Sequence, residues 1–523
     1  MLMSERSRDD YPAEWTTHGL AVLCGAGVSI PEPSHVPSWW GFNDTVLRTI
    51  RDGYVSGCTV PGSAAPAVAQ LDLSGLDIAE FSQLVHNAFA GAQWFPLLRA
   101  LDADCPNPLH EAHGALASQG VLRTIATTNF DTLIEKALGD AAVVLHPLVD
   151  AATGNEGRLT VLKLHGSATA AATLIDLADQ KRRGLPPEWL DRLESEFSNH
   201  SLLVLGFSGA DLEFREDYLR LRAASARVPW LRWNVRSLGD VPAAVREVVE
   251  ACGDRGDFLV GDLPGVLEKF SIPINAPQAA PHRRPYDLSQ VVRDWLEDLD
   301  GCSPLVCGVV VARVLHLSGL VEEARAVTDG LRVEARSQLA SGVNPSTAAQ
   351  LSLVLGQVAS DEMNRHPRRA IDDLDLAYRA YEAVVEHVRL RDGELSEAST
   401  IERANNHSAT FQNRAYAHLH LRQHRAAERW NEAAREYVAI SSVRTLRESS
   451  AAEIEGAIAY CRGDEETART RWDDAIRLAG EAGNGHRPPV VLTNLRRLRG
   501  QPRNGLAAGE SVGEASSSHV GER

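Results

Sequence analysis

The most constraining feature of this 523-residue chain is a series of short apolar runs, each ending in glycine or in polar residues. The runs are separated by helical patterns and lie in the first half of the chain, at residues 20–24, 121–127, 159–164, 202–206 and 230–235. Buried strands that alternate with helices are typical of parallel sheets covered on both faces. The pattern therefore predicts a doubly wound, Rossmann-like α/β domain. We place it at residues 15–275, after a flexible N-terminus at residues 1–14.

A change in composition and in apolar periodicity marks the end of this domain. Residues 276–287 are rich in proline and small residues, which is typical of a linker. Residues 288–500 carry helical periodicity and predict an all-α domain. Residues 501–523 contain Gly, Ser, Ala and Glu without apolar periodicity, which predicts a disordered tail.

Small residues recur through the helical half at matching offsets. Each copy has a small or apolar residue, another 12 positions later and a third 7 positions after that. The copies are Ala312, Ala324 and Leu331; Val358, Ala370 and Ala377; Ala415, Ala427 and Ala434; and Gly456, Ala468 and Ala475. The pattern resembles the tetratricopeptide helical hairpin. Because the copies start 46, 57 and 41 residues apart, a non-repeating helical bundle stays an alternative.

Composition and charge narrow the class of protein. The formal net charge is −17, whereas a surface dedicated to DNA or RNA is normally basic. The first 15 residues lack the apolar core of a secretory signal, and no apolar run is long enough for a membrane span. The seven cysteines form no C-x-x-C pair, which argues against a disulfide framework or a zinc ribbon. We therefore expect a cytoplasmic protein without a metal site, a membrane anchor or direct nucleic-acid binding.

The first apolar run leads directly into Gly25-Ala26-Gly27, with Ser29 two positions further on. Alternate glycines permit a tight turn and let a pyrophosphate approach the backbone N–H groups. The third glycine of a dinucleotide fingerprint is absent because Ile30 stands in its place. The loop predicts a phosphate site, with a glycine turn that binds no ligand as the alternative.

Polar residues follow the next strands. Thr128, Asn129 and Asp131 follow the second run, and His165-Gly166 follows the third. Open parallel sheets bind their ligands at the carboxyl ends of the strands, so these side chains are predicted to face one crevice. The alternatives are local roles: a helix cap for Asn129 and Asp131, and a structural histidine. Gly206 and Ser208 end the fourth run, where small residues leave room for a ribose or an adenine.

Taken in order, the segments GAG, TTNFD, LHG and GFSGAD resemble the sirtuin family, as do Trp233-Asn234-Val235 and residues 257–267. The resemblance covers about residues 15–272 and implies NAD as the ligand. It implies that Asn129 contacts the nicotinamide ribose and a water, that Asp131 binds the carboxamide, and that His165 is the general base. It also implies a set of residues that contact the pyrophosphate, the ribose and the adenosine: Gly25, Ala26, Gly27, Ser29, Thr128, Gly206, Ser208 and Asn234.

Two departures bear on the activity. No cysteine lies between Gly166 and Leu205, where deacylating sirtuins carry a four-cysteine zinc ribbon. Residues 31–40 stand in place of a deacylase segment, and Pro37-Ser38-Trp39 within them resembles the sirtuin-like domains of bacterial antiviral proteins. That resemblance implies a metal-independent NAD hydrolase acting in abortive infection. Its helical domain would form a homo-oligomer or bind a phage-protein trigger or another partner. A protein deacylase and a non-catalytic nucleotide-binding scaffold are the alternatives.

Overall fold

The computed structural model describes residues 11–74, 76–89, 94–152, 158–213, 217–270, 272, 287–298, 304–342, 345–363, 365–395, 397–441 and 444–481. The predicted tail, residues 1–10 of the predicted N-terminus and the predicted linker apart from Asp287 lie outside these ranges.

One seven-stranded parallel sheet organises the first half of the chain. Its strands are β1 (Leu20–Cys24), β2 (Leu122–Thr127), β3 (Ala142–Leu145), β4 (Leu159–Lys163), β5 (Ser201–Leu205), β6 (Leu231–Val235) and β7 (Gly256–Val260). Their spatial order is β3-β4-β2-β1-β5-β6-β7, so the chain reverses direction across the sheet between β1 and β5. The predicted doubly wound, Rossmann-like fold is confirmed. Strand β3 has no counterpart among the predicted strands, because it is short, half-buried and paired with β4 alone.

The helices in the first half of the chain are mostly short. They are α1 (Ala13–His18), α2 (Trp39–Gly57), α3 (Ala65–Ala69), α4 (Ile78–Ala88), α5 (Trp94–Leu97), α6 (Pro108–Ser118), α7 (Leu133–Leu138), α8 (Ala178–Arg183), α9 (Pro187–Asn199), α10 (Leu221–Ser225), α11 (Ala243–Ala251) and α12 (Leu263–Lys269). Short 3-10 helices lie at Ala26–Val28, Leu98–Leu101, Gly139–Ala141, Ala171–Thr173, Ala210–Glu213 and Gly253–Arg255.

Alternation along β1 builds a core on each face of the sheet. Leu20 and Val22 pack in one cluster with residues of α1, α6 and α7, whereas Ala21 and Leu23 pack in the other with residues of α9 and α11. All five side chains of β1 are buried, which explains why this strand is apolar throughout. The predicted site residues follow the ends of strands that these two cores bury.

Longer helices form the second half. They are α13 (Leu288–Asp298), α14 (Pro304–Leu317), α15 (Val321–Ser341), α16 (Pro345–Glu362), α17 (Pro367–Asp392), α18 (Glu397–His420), α19 (His424–Val438), α20 (Arg444–Cys461) and α21 (Glu465–Glu481). From α14 onward they pack in consecutive pairs. Each predicted repeat copy falls on one pair, and its three residues are buried. Gly456 shows why the first position is small, since a Cβ there would lie 2.5 Å from the Trp472 ring.

The chain divides into two compact units. The first contains residues Met1–Leu47 and Asp77–Trp295, and the second contains Arg48–Leu76 and Leu296–Arg523. The second unit is thus discontinuous in sequence: Pro304 lies against Gly57, and Gly308 lies against the buried ring of Tyr54. Composition and periodicity did not indicate that residues 48–76 pack with the helical half. None of the described helices has the length and apolarity that crossing a membrane requires.

Candidate active site

The predicted site residues lie along the carboxyl edge of the sheet. Gly25 follows β1, Asn129 follows β2, His165 follows β4, Gly206 follows β5 and Asn234 lies near the end of β6. The reversal of strand order falls between β1 and β5, in the middle of this set. Open α/β sheets bind ligands in the crevice at such a reversal. The fold therefore puts these residues where a ligand is expected.

The glycine loop packs against the end of β5. The N–H of Gly25 donates to Leu205 O and the N–H of Gly27 donates to Gly206 O, each at 3.0 Å. A Cβ on Gly27 would lie 2.7 Å from Gly206 Cα, so the glycines permit a close crossing of two backbones. Both N–H groups thus have backbone acceptors at Leu205 and Gly206, and the predicted contact of the loop with a pyrophosphate stays a prediction. Ala26 lies between them and begins a 3-10 helix.

Ser29 joins the glycine loop to the polar end of β2. Its hydroxyl donates to Asp131 Oδ2 at 2.8 Å and accepts from Asn129 Nδ2 at 3.1 Å. His110 Nε2 lies 3.1 Å from the same oxygen. Ser29 is fully buried, and its hydroxyl is the centre of a hydrogen-bonded cluster drawn from three elements. The sequence predicted Ser29 as a ligand contact, whereas the structure gives its hydroxyl three protein partners.

His110 is a member of this cluster that the sequence analysis missed. It is the third residue of α6, and its Nδ1 accepts the backbone N–H of Asn107 at 3.1 Å. Burial lowers the pKa of His110 to about 3, with smaller contributions from His113 and Lys163, so the ring is neutral at pH 7. Asn107-Pro108 is a recognisable helix start, but no local pattern shows that His110 reaches Ser29.

Asn129 presents an atom that needs a partner. The residue is 5% exposed, and its Oδ1 is buried without a hydrogen-bond partner. Its backbone N–H donates to Thr127 Oγ1 at 3.1 Å, and the neighbouring Thr128 N–H donates to Cys24 O at 3.1 Å. Leaving a buried acceptor unpaired costs about 1–3 kcal/mol, so such an atom is a good candidate for a ligand contact.

Asp131 is held by protein groups on both carboxylate oxygens. Oδ2 accepts from Ser29, and Oδ1 accepts the N–H of Leu133 at 3.1 Å. Burial raises the pKa of Asp131, while Lys163, Ser29 and the Leu133 N–H act in the opposite direction. The buried Lys163 ammonium donates to the Asp131 carbonyl and pairs with Glu135 at 3.1 Å. The helix-start role that the sequence left open is therefore present, beside the predicted carboxamide role.

His165 lies at the end of β4, with its ring 6.3 Å from the ring of Phe130. Its Nε2 lies 3.4 Å from the Tyr218 hydroxyl. Burial lowers the pKa of His165 to about 4, with Asp211 raising it and Lys181 lowering it. This imidazole is therefore neutral at pH 7, which suits a proton acceptor but makes it a weaker base than an exposed histidine. The role of general base stays a prediction.

A buried charge network lies beside His165. Lys181 Nζ pairs with Asp211 Oδ1 at 2.8 Å, and Trp94 Nε1 donates to Asp176 Oδ2 at 2.7 Å. Burial opposes the charge of Lys181, but Asp211 and Asp176 raise its pKa. Lys181 is 4% exposed, although a lysine on a short helix normally faces the solvent. The partner of Lys181, Asp211, lies 30 positions away in the sequence, so no local pattern predicts this buried ion pair.

The residues expected at the adenosine end have other partners. Asn234 Nδ2 donates to Leu259 O at 3.1 Å and Gly261 O at 3.0 Å, which ties β6 to the end of β7. Ser208 is exposed, and its hydroxyl accepts the N–H of Ala210 at 3.4 Å. These contacts give both side chains local roles, and their ligand roles stay predictions.

The Pro37-Ser38-Trp39 segment starts α2. Ser38 Oγ accepts the N–H of Gly41 at 3.0 Å, as expected for a residue that caps a helix. The Trp39 ring lies 5.3 Å from the ring of Phe130, which stands between Asn129 and Asp131. The segment therefore borders the candidate site. Within the described residues, no group of His, Cys, Asp or Glu side chains is arranged to hold a metal ion.

Comparison with known families agrees with the resemblance of the motifs. The model of the SIR2-like domain matches residues 123–233, which are 111 of the 523 residues. The matched segment runs from β2 to β6 and includes Asn129, Asp131, His165, Gly206 and Ser208. The glycine loop and the helical half lie outside it. No curated protein matches the chain. A SIR2-like domain supports a function related to NAD.

Proposed function

We propose, from the SIR2-like segment and the cluster at its strand ends, that this protein hydrolyses NAD to nicotinamide and ADP-ribose. The observation that carries the proposal is the unpartnered Oδ1 of Asn129, buried beside Ser29 and Asp131 at the carboxyl edge of the sheet. A ribose hydroxyl or a water would supply the missing donor. The site thus offers an acceptor where the bond between ribose and nicotinamide would lie.

The proposed reaction needs little beyond these residues. Cleavage of the glycosidic bond takes both of its electrons to the nicotinamide nitrogen and leaves an oxocarbenium-like ribose. Water adds to that carbon and loses one proton, which the neutral His165 accepts. Asp131 would anchor the carboxamide, and the acceptor oxygen of Asn129 would favour the developing positive charge. A positioned base typically contributes about 10²–10⁴-fold to the rate.

Water is preferred to acyl-lysine as the acceptor on grounds of sequence and fold. The interval after His165 contains no cysteine, and between β4 and β5 it forms the short helix α8 and the helix α9. The Trp189, Leu193 and Phe197 side chains of α9 are buried in the sheet core. Most of this interval is therefore used in covering the sheet, which leaves little chain for a peptide-clamping domain.

We further propose that NAD loss serves antiphage abortive infection. In this proposal the helical half binds a phage-derived trigger or assembles copies of the chain. Support comes from the Pro37-Ser38-Trp39 resemblance and from the pairing of α14–α21, since arrays of paired helices are commonly binding surfaces. Cellular NAD during phage infection tests this role, with His165→Ala as the inactive comparison. Wild-type cells that keep their NAD through a broad phage panel would contradict it.

Nicotinamide release by purified full-length protein tests the hydrolase. We expect Asn129→Ala and His165→Ala each to reduce release by about 10²-fold or more, because one loses the ribose acceptor and the other the base. Asn199→Ala and His18→Ala are matched controls at exposed positions and should keep wild-type release. Undiminished nicotinamide release by both site variants would contradict the assignment of this site as the NAD hydrolase centre. NAD-dependent deacylation of an acyl-lysine peptide would favour the deacylase, and binding of NAD without turnover would favour the scaffold.

A further inference from the structure

We propose that His110 is a positioning residue of this site, which acts through Ser29 to hold the Asn129 amide with its carbonyl oxygen toward the substrate. The inference rests on the proposed function for its chemistry and on the hydrogen-bond directions for its geometry. His110 itself would touch neither NAD nor water.

The direction of each hydrogen bond follows from its partners. The Asn107 backbone N–H can only donate, so His110 Nδ1 is an acceptor without a proton. The neutral ring therefore carries its proton on Nε2 and donates it to Ser29 Oγ, 3.1 Å away. Ser29 in turn gives its hydroxyl hydrogen to Asp131 Oδ2 at 2.8 Å. A hydroxyl has one hydrogen, so Ser29 can only accept from its remaining neighbour.

That remaining neighbour is Asn129, which must therefore turn its NH₂ group toward Ser29, at 3.1 Å. The opposite amide orientation would set a carbonyl oxygen against a hydroxyl that has no hydrogen left to donate. With Nδ2 committed, Oδ1 is the atom that lies buried without a partner. The orientation of the Asn129 amide is thus decided by protons that originate on His110 and Ser29.

The start of α6 anchors this chain of hydrogen bonds. The Asn107 side chain accepts the N–H groups of Leu109 and His110, and its Nδ2 donates to Val28 O at 2.8 Å and Pro31 O at 3.2 Å. The same residue therefore fixes His110 and the loop that carries Ser29. Such support lets a catalytic group keep one geometry during the reaction.

The orientation of the Asn129 amide affects cleavage of the glycosidic bond. A carbonyl oxygen that faces the substrate accepts a hydrogen bond from a ribose hydroxyl or from the attacking water. It also stabilises the positive charge that develops on the ribose. A reversed amide would present two N–H donors to that charge and oppose it. His110 should therefore affect turnover more than binding, because the charge is largest in the transition state.

Two substitutions separate the functions of the ring. His110→Asn keeps an acceptor near the position of Nδ1 and removes the donor to Ser29, whereas His110→Gln keeps a donor near the position of Nε2. We expect His110→Asn to lower kcat by about 10²-fold while KM for NAD changes less, and His110→Gln to recover most of that loss. His113→Gln is the matched control, since His113 is buried one turn along α6 and contacts Cys24 Sγ at 3.3 Å instead of Ser29.

Equal losses of kcat in the Asn and Gln variants, with equal losses of thermal stability, would overturn the proposal and leave His110 a structural residue. If wild-type protein cleaves no NAD, the proposed function fails, and His110 is judged by its tautomer alone. Nitrogen-15 spectra of histidine-labelled protein, assigned by the signal that His110→Gln removes, should show a proton on Nε2 and none on Nδ1. A proton on Nδ1 or a charged ring at pH 7 would refute the hydrogen-bond chain directly.

Discussion

At the scale of single residues, three histidines in the described part of the first unit are buried, and burial keeps them neutral. Burial lowers the pKa of His110 to about 3 and the pKa values of His113 and His165 to about 4. Each ring is also held in place: His113 Nδ1 lies 2.8 Å from Leu109 O, to which it can only donate. In the unfolded chain these rings titrate near pH 6.5. The difference links protonation to stability.

We expect the first unit to lose stability as the pH falls from 6.5 toward 4. In that window the histidines of the unfolded chain bind protons, whereas the buried rings of the folded protein stay neutral. Each histidine therefore lowers the free energy of unfolding by roughly 1.4 kcal/mol per pH unit. Between pH 7 and pH 5 a single ring therefore contributes roughly 2 kcal/mol of lost stability. The contribution falls to zero as the pH rises above 6.5, because the rings of the unfolded chain then become neutral as well.

Hydrogen exchange of the β1 and β2 amides at pH 7 and pH 5 measures this loss. In His113→Gln the difference between the two pH values should shrink by roughly 2 kcal/mol, because one titrating group is gone. Asn199→Ala, at an exposed position without a titratable side chain, should leave the difference unchanged. A His113→Gln protein with the wild-type pH dependence would show that burial does not control this titration.

At the scale of elements, the crossing of the glycine loop over the end of β5 determines where the site lies. Gly206 has φ of +60°, and a Cβ there would lie 2.7 Å from Val28 N. The turn therefore excludes other residues for two separate reasons, one conformational and one steric. Gly120 has φ of +65° but no neighbouring atom within 4 Å of an added Cβ, so it shares only the first reason.

We expect Gly206→Ala to destabilise the first unit by at least about 1–3 kcal/mol more than Gly120→Ala, because it adds an overpacking cost to the backbone cost. Gly120→Ala itself should cost about 1–2 kcal/mol for its left-handed backbone. Urea unfolding of both variants measures the difference. Equal costs would mean that the two loops separate without penalty, and the close crossing would then not constrain the site.

At the scale of the whole molecule, the second unit is assembled from two separate stretches of chain. Residues 48–76 belong to it together with the chain from Leu296 onward. Within that unit Gly57 touches Pro304, where an added Cβ would lie 1.9 Å from Cγ, and Tyr54 is buried against Gly308. A cut between the sequence-predicted domains therefore separates parts of one packed unit.

We expect a protein cleaved at an engineered protease site within residues 276–287 to remain one particle. Residues 48–76 would stay bound to the helices they pack against, because apolar burial holds them there. A fragment of residues 1–287 made alone should aggregate or melt at a lower temperature than the intact chain. Gel filtration after cleavage and thermal melts of the fragment check both outcomes. Two pieces that separate and stay folded would contradict the division into these units.

The sequence by itself determined the fold class, most strand positions and the location of the candidate site. The reason is that apolar runs, glycines and strand-end polar residues are local patterns with a fixed meaning in a parallel sheet. Strand β1 has its predicted bounds, and the repeat copies fall on successive helix pairs. The glycine loop, Asn129, Asp131 and His165 all lie at the predicted edge.

Only the tertiary structure decided how these residues interact. His110 reaches Ser29 across 81 positions of sequence, and Lys181 reaches Asp211 across 30, so no window of local sequence could connect them. The pKa of His165 and the orphaned oxygen of Asn129 are likewise set by burial, which is a property of the packed fold. Local sequence placed each candidate residue at the edge of the sheet, and packing determined its proton and its partner.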